Sequence, residues 1–174
     1  MRARRYFITA AMLVLARAVA ADDGDSLGLE VLADALPSFT LLATDGGAPL
    51  STGDLRGKTV LLHFWATWCT PCKDELPALD GLATQLDNQH FAVVLAAIDN
   101  NVPASQVQSF ARGIGVRLPI YLANERGISN SFWAWGVPVS YLIDGQGHFI
   151  GRLRGPRPWD QPALRAALLR LVRP

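Results

Sequence analysis

Phe64-Trp65-Ala66-Thr67-Trp68-Cys69-Thr70-Pro71-Cys72-Lys73 holds the only two cysteines of a 174-residue chain, at the point where an apolar run gives way to a helical pattern. Upstream, Val60-Leu61-Leu62-His63-Phe64-Trp65 is nearly continuous in apolar character, as in a strand covered on both faces. Downstream, Leu76, Leu79, Leu82, Ala83 and Leu86 recur at helical spacing and predict a helix over 70–89 with one apolar stripe. Cys69 is thereby delivered to a helix N-terminus, where unpaired amides carry partial positive charge and favour the thiolate. Two thiols separated by two residues can also close a disulfide. Dithiol redox chemistry with Cys69 as the reactive thiolate is therefore the leading reading.

Two other uses of the pair are weighed against it. A structural zinc site needs four ligands, and His63, His90 and His148 are scattered along the sequence. A purely structural bridge closing so short a loop removes little entropy from the unfolded chain. Pro77, five positions after Cys72, removes an amide donor and clashes with the carbonyl of Lys73, which predicts a kink one turn beyond the cysteines.

The start of the chain speaks to compartment. Arg2, Arg4 and Arg5 precede an apolar run from Tyr6 to Ala16, followed by Ala18-Val19-Ala20, a small-x-small pattern suited to signal peptidase. The run is shorter than the roughly 20 apolar residues a membrane span requires. Residues 1–20 are read as a cleaved export signal, with an uncleaved membrane anchor as the alternative. Arg4-Arg5-Tyr6-Phe7-Ile8 is compatible with either the general secretory or the twin-arginine route. Without this leader the basic count falls from 16 to 12 against 15 acids, leaving a mildly acidic chain. Clustered basic charge of the kind nucleic-acid binding needs is missing, since Arg152, Arg154 and Arg157 read as a solvated strand and loop.

The remaining length suits one domain able to bury its own core. Residues 21–35 are acidic and read as a flexible lead-in, with little order expected before Leu36. Phe39 to Leu42 and Pro49-Leu50 flank Asp45-Gly46-Gly47 as a hairpin, followed by a helical turn at 51–55. Strands are predicted at 91–98, 119–122, 139–143 and 148–153, and helices at 105–112, 125–135 and 162–172. Asp144-Gly145-Gln146-Gly147 joins the last two strands as a hairpin.

Three separated features resemble the thioredoxin superfamily, and more narrowly its exported TlpA/ResA/CcmG-like branch. They are Phe64 to Lys73 with Pro77, then Gly136-Val137-Pro138-Val139 with Tyr141-Leu142-Ile143-Asp144, and Glu75 within Lys73-Asp74-Glu75-Leu76-Pro77. The likeness runs from about Pro37 to the C-terminus and implies a thioredoxin-like α/β domain over 36–174. Its expected architecture is a mixed central sheet with helices on both faces and an N-terminal β-hairpin extension. The resemblance further implies a cis Val137–Pro138 bond beside the cysteines, a peptide group there that pairs with substrate backbone, and site aromatics at Trp65 and Trp68. Neither a cofactor nor a metal is implied.

Read from spacing alone, Glu75 lies three residues after Cys72 on the same helical face. A carboxyl there can accept the Cys72 proton when that thiol must attack, though an exposed helical glutamate would look the same in sequence. His63 departs from the family, which has Asp or Asn at this position. It reads either as a neutral, hydrogen-bonded core residue or as a group that moves a proton or tunes Cys72. His90 and His148 read as surface residues, and Trp133, Trp135 and Trp159 as core or groove lining.

The expected function is a monomeric extracytoplasmic thiol-disulfide oxidoreductase with Cys69, Cys72 and Glu75 as catalytic residues and Trp68, Val137 and Pro138 contacting a disulfide-containing protein substrate. The resemblance implies a membrane thiol donor of DsbD/CcdA type, a periplasmic location, and a role such as reduction of apocytochrome c during cytochrome c maturation. Net oxidant behaviour stays open. A Cu(I)-handling protein for oxidase assembly, using the same two thiols, is the rival from another class. A peroxidase is a weaker reading, because Pro71 follows the reactive cysteine instead of preceding it.

Overall fold

The computed structural model describes residues 27–32, 35–86, 90–123, 132 and 136–171. Its centre is β4 (Thr59–Trp65), all seven residues of which are buried, as the unbroken apolar run predicts. On one side β4 pairs in parallel with β5 (Phe91–Ala97), which pairs in parallel with β6 (Ile120–Leu122). On the other side it pairs antiparallel with β7 (Val139–Ile143), which forms a hairpin with β8 (Phe149–Arg154). The Asp144 side chain accepts the amides of Gln146 and His148, and Gly147 supplies the positive φ that closes this turn.

The expected N-terminal hairpin is β2 (Thr40–Ala43) and β3 (Leu50–Ser51), which docks through β2 onto β6. A 3-10 turn follows at Thr52–Leu55, capped reciprocally by Ser51 and Asp54. The lead-in holds more order than its composition predicts: β1 (Glu30–Val31) pairs with β8, and Ala35 bridges His148. Across the sheet the order is β1-β8-β7-β4-β5-β6-β2-β3. Arg152 and Arg154, read as solvated, both pair with Glu30 of β1.

Strand alternation divides the interior into two clusters. Leu61, Trp65, Leu95, Ala97, Leu142 and Leu153 pack against α1 (Thr70–Leu86), α2 (Ala104–Gly113) and α3 (Pro162–Leu171). The stripe anticipated on α1 is the packing surface, with Leu76, Leu79, Leu82 and Leu86 all buried. Val60, Leu62, Phe64, Val94, Ala96, Val139, Tyr141 and Ile143 point the other way, onto Leu41, Leu55 and Phe132. The helix expected over 125–135 lies outside the described residues except for Phe132. Trp133 and Trp135 lie outside them too.

His63 occupies an odd position of β4, so it shares its face with Leu61 and Trp65 and points toward α1. Ser140 is its register partner on β7. The shared face follows from the period of two along a strand, and the facing serine from the register in which β4 and β7 pair.

Candidate active site

The turn between β4 and α1 is fixed by the neighbouring strand. Ile98 donates its amide to the Trp65 carbonyl at 2.9 Å, and Asp99 accepts both the amide and the hydroxyl of Thr67. Cys69 then opens α1, with Pro71 in the first turn, where its missing amide costs no helical hydrogen bond. Pro77 is accommodated inside α1.

Cys69 and Cys72 are joined as a disulfide. The Cys72 amide donates to the Cys69 sulfur at 3.3 Å, so a first-turn amide is aimed at the atom that would carry a thiolate charge after reduction. Cys72 is fully buried whereas Cys69 keeps 4% of its exposure, so an incoming sulfur meets Cys69 first. Trp68 is 65% exposed beside it. Trp65, grouped with it in the sequence, is instead core: it is fully buried and stacked on Phe110.

The Val137–Pro138 bond is cis. Val139 pairs with Phe64, which places Pro138 at the end of the sheet from which the cysteine turn emerges. The Pro138 carbonyl accepts the Gly155 amide at 3.0 Å, tying this corner to the segment after β8.

Glu75 is buried, contrary to the exposed-glutamate alternative. Its Oε2 accepts the Arg157 amide at 2.8 Å and the Trp159 indole N–H at 3.2 Å. Its Oε1 stands 3.2 Å from His63 Nε2, close but off line for a hydrogen bond. Burial pushes the Glu75 carboxyl up to about 7, against the opposing pull of the Arg157 amide, the Trp159 indole and the Arg157 charge. Burial alone holds His63 down at about 3, so its imidazole is neutral. An open cleft of about 280 Å³, lined by Asp74, Glu75, Arg157, Trp159 and Asp160 among others, connects the carboxyl to the surface beside Pro71. A carboxyl that titrates near neutrality, one turn from Cys72 and within reach of water, is equipped to take up and release a proton.

The structure thus brings Cys69, Cys72, Glu75 and His63 to one face of the sheet, with Trp68 and cis Pro138 at the same end. Trp159 is core and cleft lining as read, but its bond to Glu75 was not foreseen, and sequence reasoning missed Arg157, Ser140 and Asp99 as partners in the site. Ser140 was accessible in principle, since the pairing of β4 and β7 sets it opposite His63. The segment 155–159 has no periodicity, and nothing local announces its contact with α1.

A thioredoxin-like fold with a disulfide at the start of the helix that follows its central strand and a cis proline at the same sheet end defines a thioredoxin-type dithiol protein. Comparison with known proteins agrees: residues 32–150 match the AhpC/TSA family, to which the chain belongs. It is 34% identical over 111 residues to the thioredoxin-like protein YneN of Bacillus subtilis, covering 64% of each chain. It is 30% identical over 119 residues to the thiol-disulfide oxidoreductase ResA of the same organism, covering 68% of this chain and 65% of that one. The chain therefore spans just under two thirds of the length of these relatives. Among solved structures, a thiol:disulfide interchange protein of Chlorobium tepidum superposes with a TM-score of 0.64 at 29% identity, covering 77% of this chain and 95% of that one.

Proposed function

We propose that this protein is an extracytoplasmic thiol-disulfide oxidoreductase that reduces disulfides in protein clients. The observation that carries the reading is the Cys69–Cys72 disulfide at the start of α1, with a helix amide on the outer sulfur and a proton-holding carboxyl one turn behind the inner one. The names of ResA and of the Chlorobium tepidum protein support the same chemistry.

In the reduced protein the Cys69 thiolate attacks a client disulfide. One client sulfur bonds to Cys69, and the other leaves as a thiolate that takes a proton from water. Cys72 gives its proton to ionised Glu75 and attacks Cys69, forming the Cys69–Cys72 bond and releasing the second client thiolate. Two electrons pass from the pair to the client. Trp68 and the peptide of Val137 and Pro138 hold the client strand beside Cys69. Electrons return from a membrane thiol donor of the DsbD/CcdA type, and residues 1–20 direct the chain out of the cytoplasm. No helix among the described residues is long and apolar enough to cross a membrane. Cytochrome c maturation is the setting this reading favours, with the protein acting as a monomer.

The test is insulin disulfide reduction by the reduced protein, run beside Cu(I) titration of the same dithiol. Turnover lost in C69A and a mixed disulfide accumulating on Cys69 in C72A are expected. Tight Cu(I) binding without turnover would replace this reading with copper handling. Thiol trapping in cells with and without the membrane donor then fixes the direction of electron flow.

A further inference from the structure

The buried side chains behind the disulfide form a continuous polar line: Ser140 on β7, His63 on β4, Glu75 on α1, and the Trp159 indole and Arg157 amide beyond it. Ser140 Oγ lies 2.8 Å from His63 Nδ1, and His63 Nε2 lies 3.2 Å from Glu75 Oε1. His63 is fully inaccessible and Ser140 nearly so. Two such residues facing each other inside a sheet are costly unless their polar atoms are used.

The direction of this line is set by the serine. Its buried hydroxyl has one proton to donate, and among the described residues its sole partner is Nδ1. A hydroxyl donating to Nδ1 places the imidazole proton on Nε2, which is the nitrogen facing Glu75. An N–H turned toward Oε1 favours the carboxylate and disfavours the acid. With the disulfide closed the contact is off line, so a small rotation of either side chain separates the strong from the weak arrangement.

We propose that His63 is a positioning residue that, held in its Nε2–H form by Ser140, sets the pH at which Glu75 passes its proton and hence the pH range over which Cys72 resolves mixed disulfides. The Glu75 part of this proposal stands on the contacts alone, and the Cys72 part rests on the exchange reading above. The charged and titratable groups around Glu75 are His63 from β4, Cys69 and Cys72 from the start of α1, and Arg157 from the segment after β8. Asp74 and Asp160 line the cleft through which the proton enters. His63 itself meets Ser140, Glu75 and the edge of the Trp159 ring, and carries no charge at neutral pH.

The test follows the Glu75 side-chain carbon by NMR as pH is varied, in the reduced and oxidised full chain, so that the readout does not depend on turnover. H63L removes the N–H and is expected to move the midpoint upward by at least roughly half a pH unit. H63Q, whose amide nitrogen reaches the place of Nε2, is expected to restore it to within about 0.2 units of wild type. S140A, a mild change that keeps the imidazole, is expected to give a smaller upward move. The pH dependence of insulin reduction should shift with the H63L midpoint. An H63L or S140A midpoint equal to wild type overturns the proposal, as does an H63Q midpoint equal to that of H63L. A wild-type protein without turnover but with the expected midpoints sinks the exchange reading and leaves the His63–Glu75 coupling standing.

Discussion

Thr67 and Asp99, each two residues beyond the end of neighbouring parallel strands, are bound together by backbone and side chain at once. The Thr67 amide reaches both carboxyl oxygens at 3.2 and 3.1 Å, and its hydroxyl donates to Oδ1 at 2.5 Å. Asp99 is 1% exposed, so the cysteine turn hangs from the interior of the sheet. D99A leaves the half-buried amide and hydroxyl of Thr67 without their acceptor and is expected to cost about 1–3 kcal/mol. D99N keeps one acceptor oxygen and should recover part of that loss. Urea unfolding of the three proteins decides the matter, and an unperturbed D99A would show that the turn is held by other contacts.

Glu75 tests whether the buried carboxyl moves a proton. Its pKa is raised in the fold from the ordinary 4.5 to about 7, so the native state binds more protons than the unfolded chain between these values. Stability from this group is therefore full below pH 4.5 and declines as pH rises toward and past 7. E75Q is expected to be more stable than wild type at pH 8 by on the order of 2 kcal/mol, with the difference vanishing below pH 4.5. The same variant should slow resolution by roughly 100-fold. A stability difference independent of pH would mean that Glu75 titrates normally.

His63 acts in the opposite sense. Its pKa falls from 6.5 to about 3, so its contribution is full above 6.5 and is lost as pH falls toward 3. Between pH 4.5 and 6.5 the two slopes oppose each other and their sum is flat. H63L removes the acid-side loss, so the stability of H63L relative to wild type should climb as pH drops from 6.5 to 3. Paired denaturation curves across that range check it, and a difference constant with pH would contradict it.

Gly151 governs the union of the lead-in with the sheet. A Cβ at this position would lie 2.6 Å from the Glu30 carbonyl oxygen and 2.7 Å from Leu29 Cγ. G151A is expected to push β1 off β8 while leaving the β7–β8 hairpin in place. Amide hydrogen exchange should then quicken at residues 29–31 and stay unchanged within β7.

The sequence was most informative where one physical pattern ran uninterrupted. The apolar run of β4, the leucine stripe of α1 and the Asp-Gly-Gln-Gly turn each depend on residues within a few positions of one another, and each appears where expected. β1 was not legible, because Glu30 and Val31 are an acidic and an exposed residue whose pairing is decided by Arg152 and Gly151 on a strand some 120 residues away. Glu75 was legible by its spacing from Cys72 but not by its burial, which comes from Trp159 and Arg157 closing over it. The ambiguity of His63 had the same root: its partner is a register neighbour on β7, and register is a property of the assembled sheet.

The sheet ends on either side in a strand of two residues, β1 at one rim and β3 at the other. Without β1, the six-residue β8 would present an open row of amides and carbonyls. The short β1 shields that row from extended segments of other chains. On the proposed reading, a protein client is then left to meet the end of the sheet that carries Cys69.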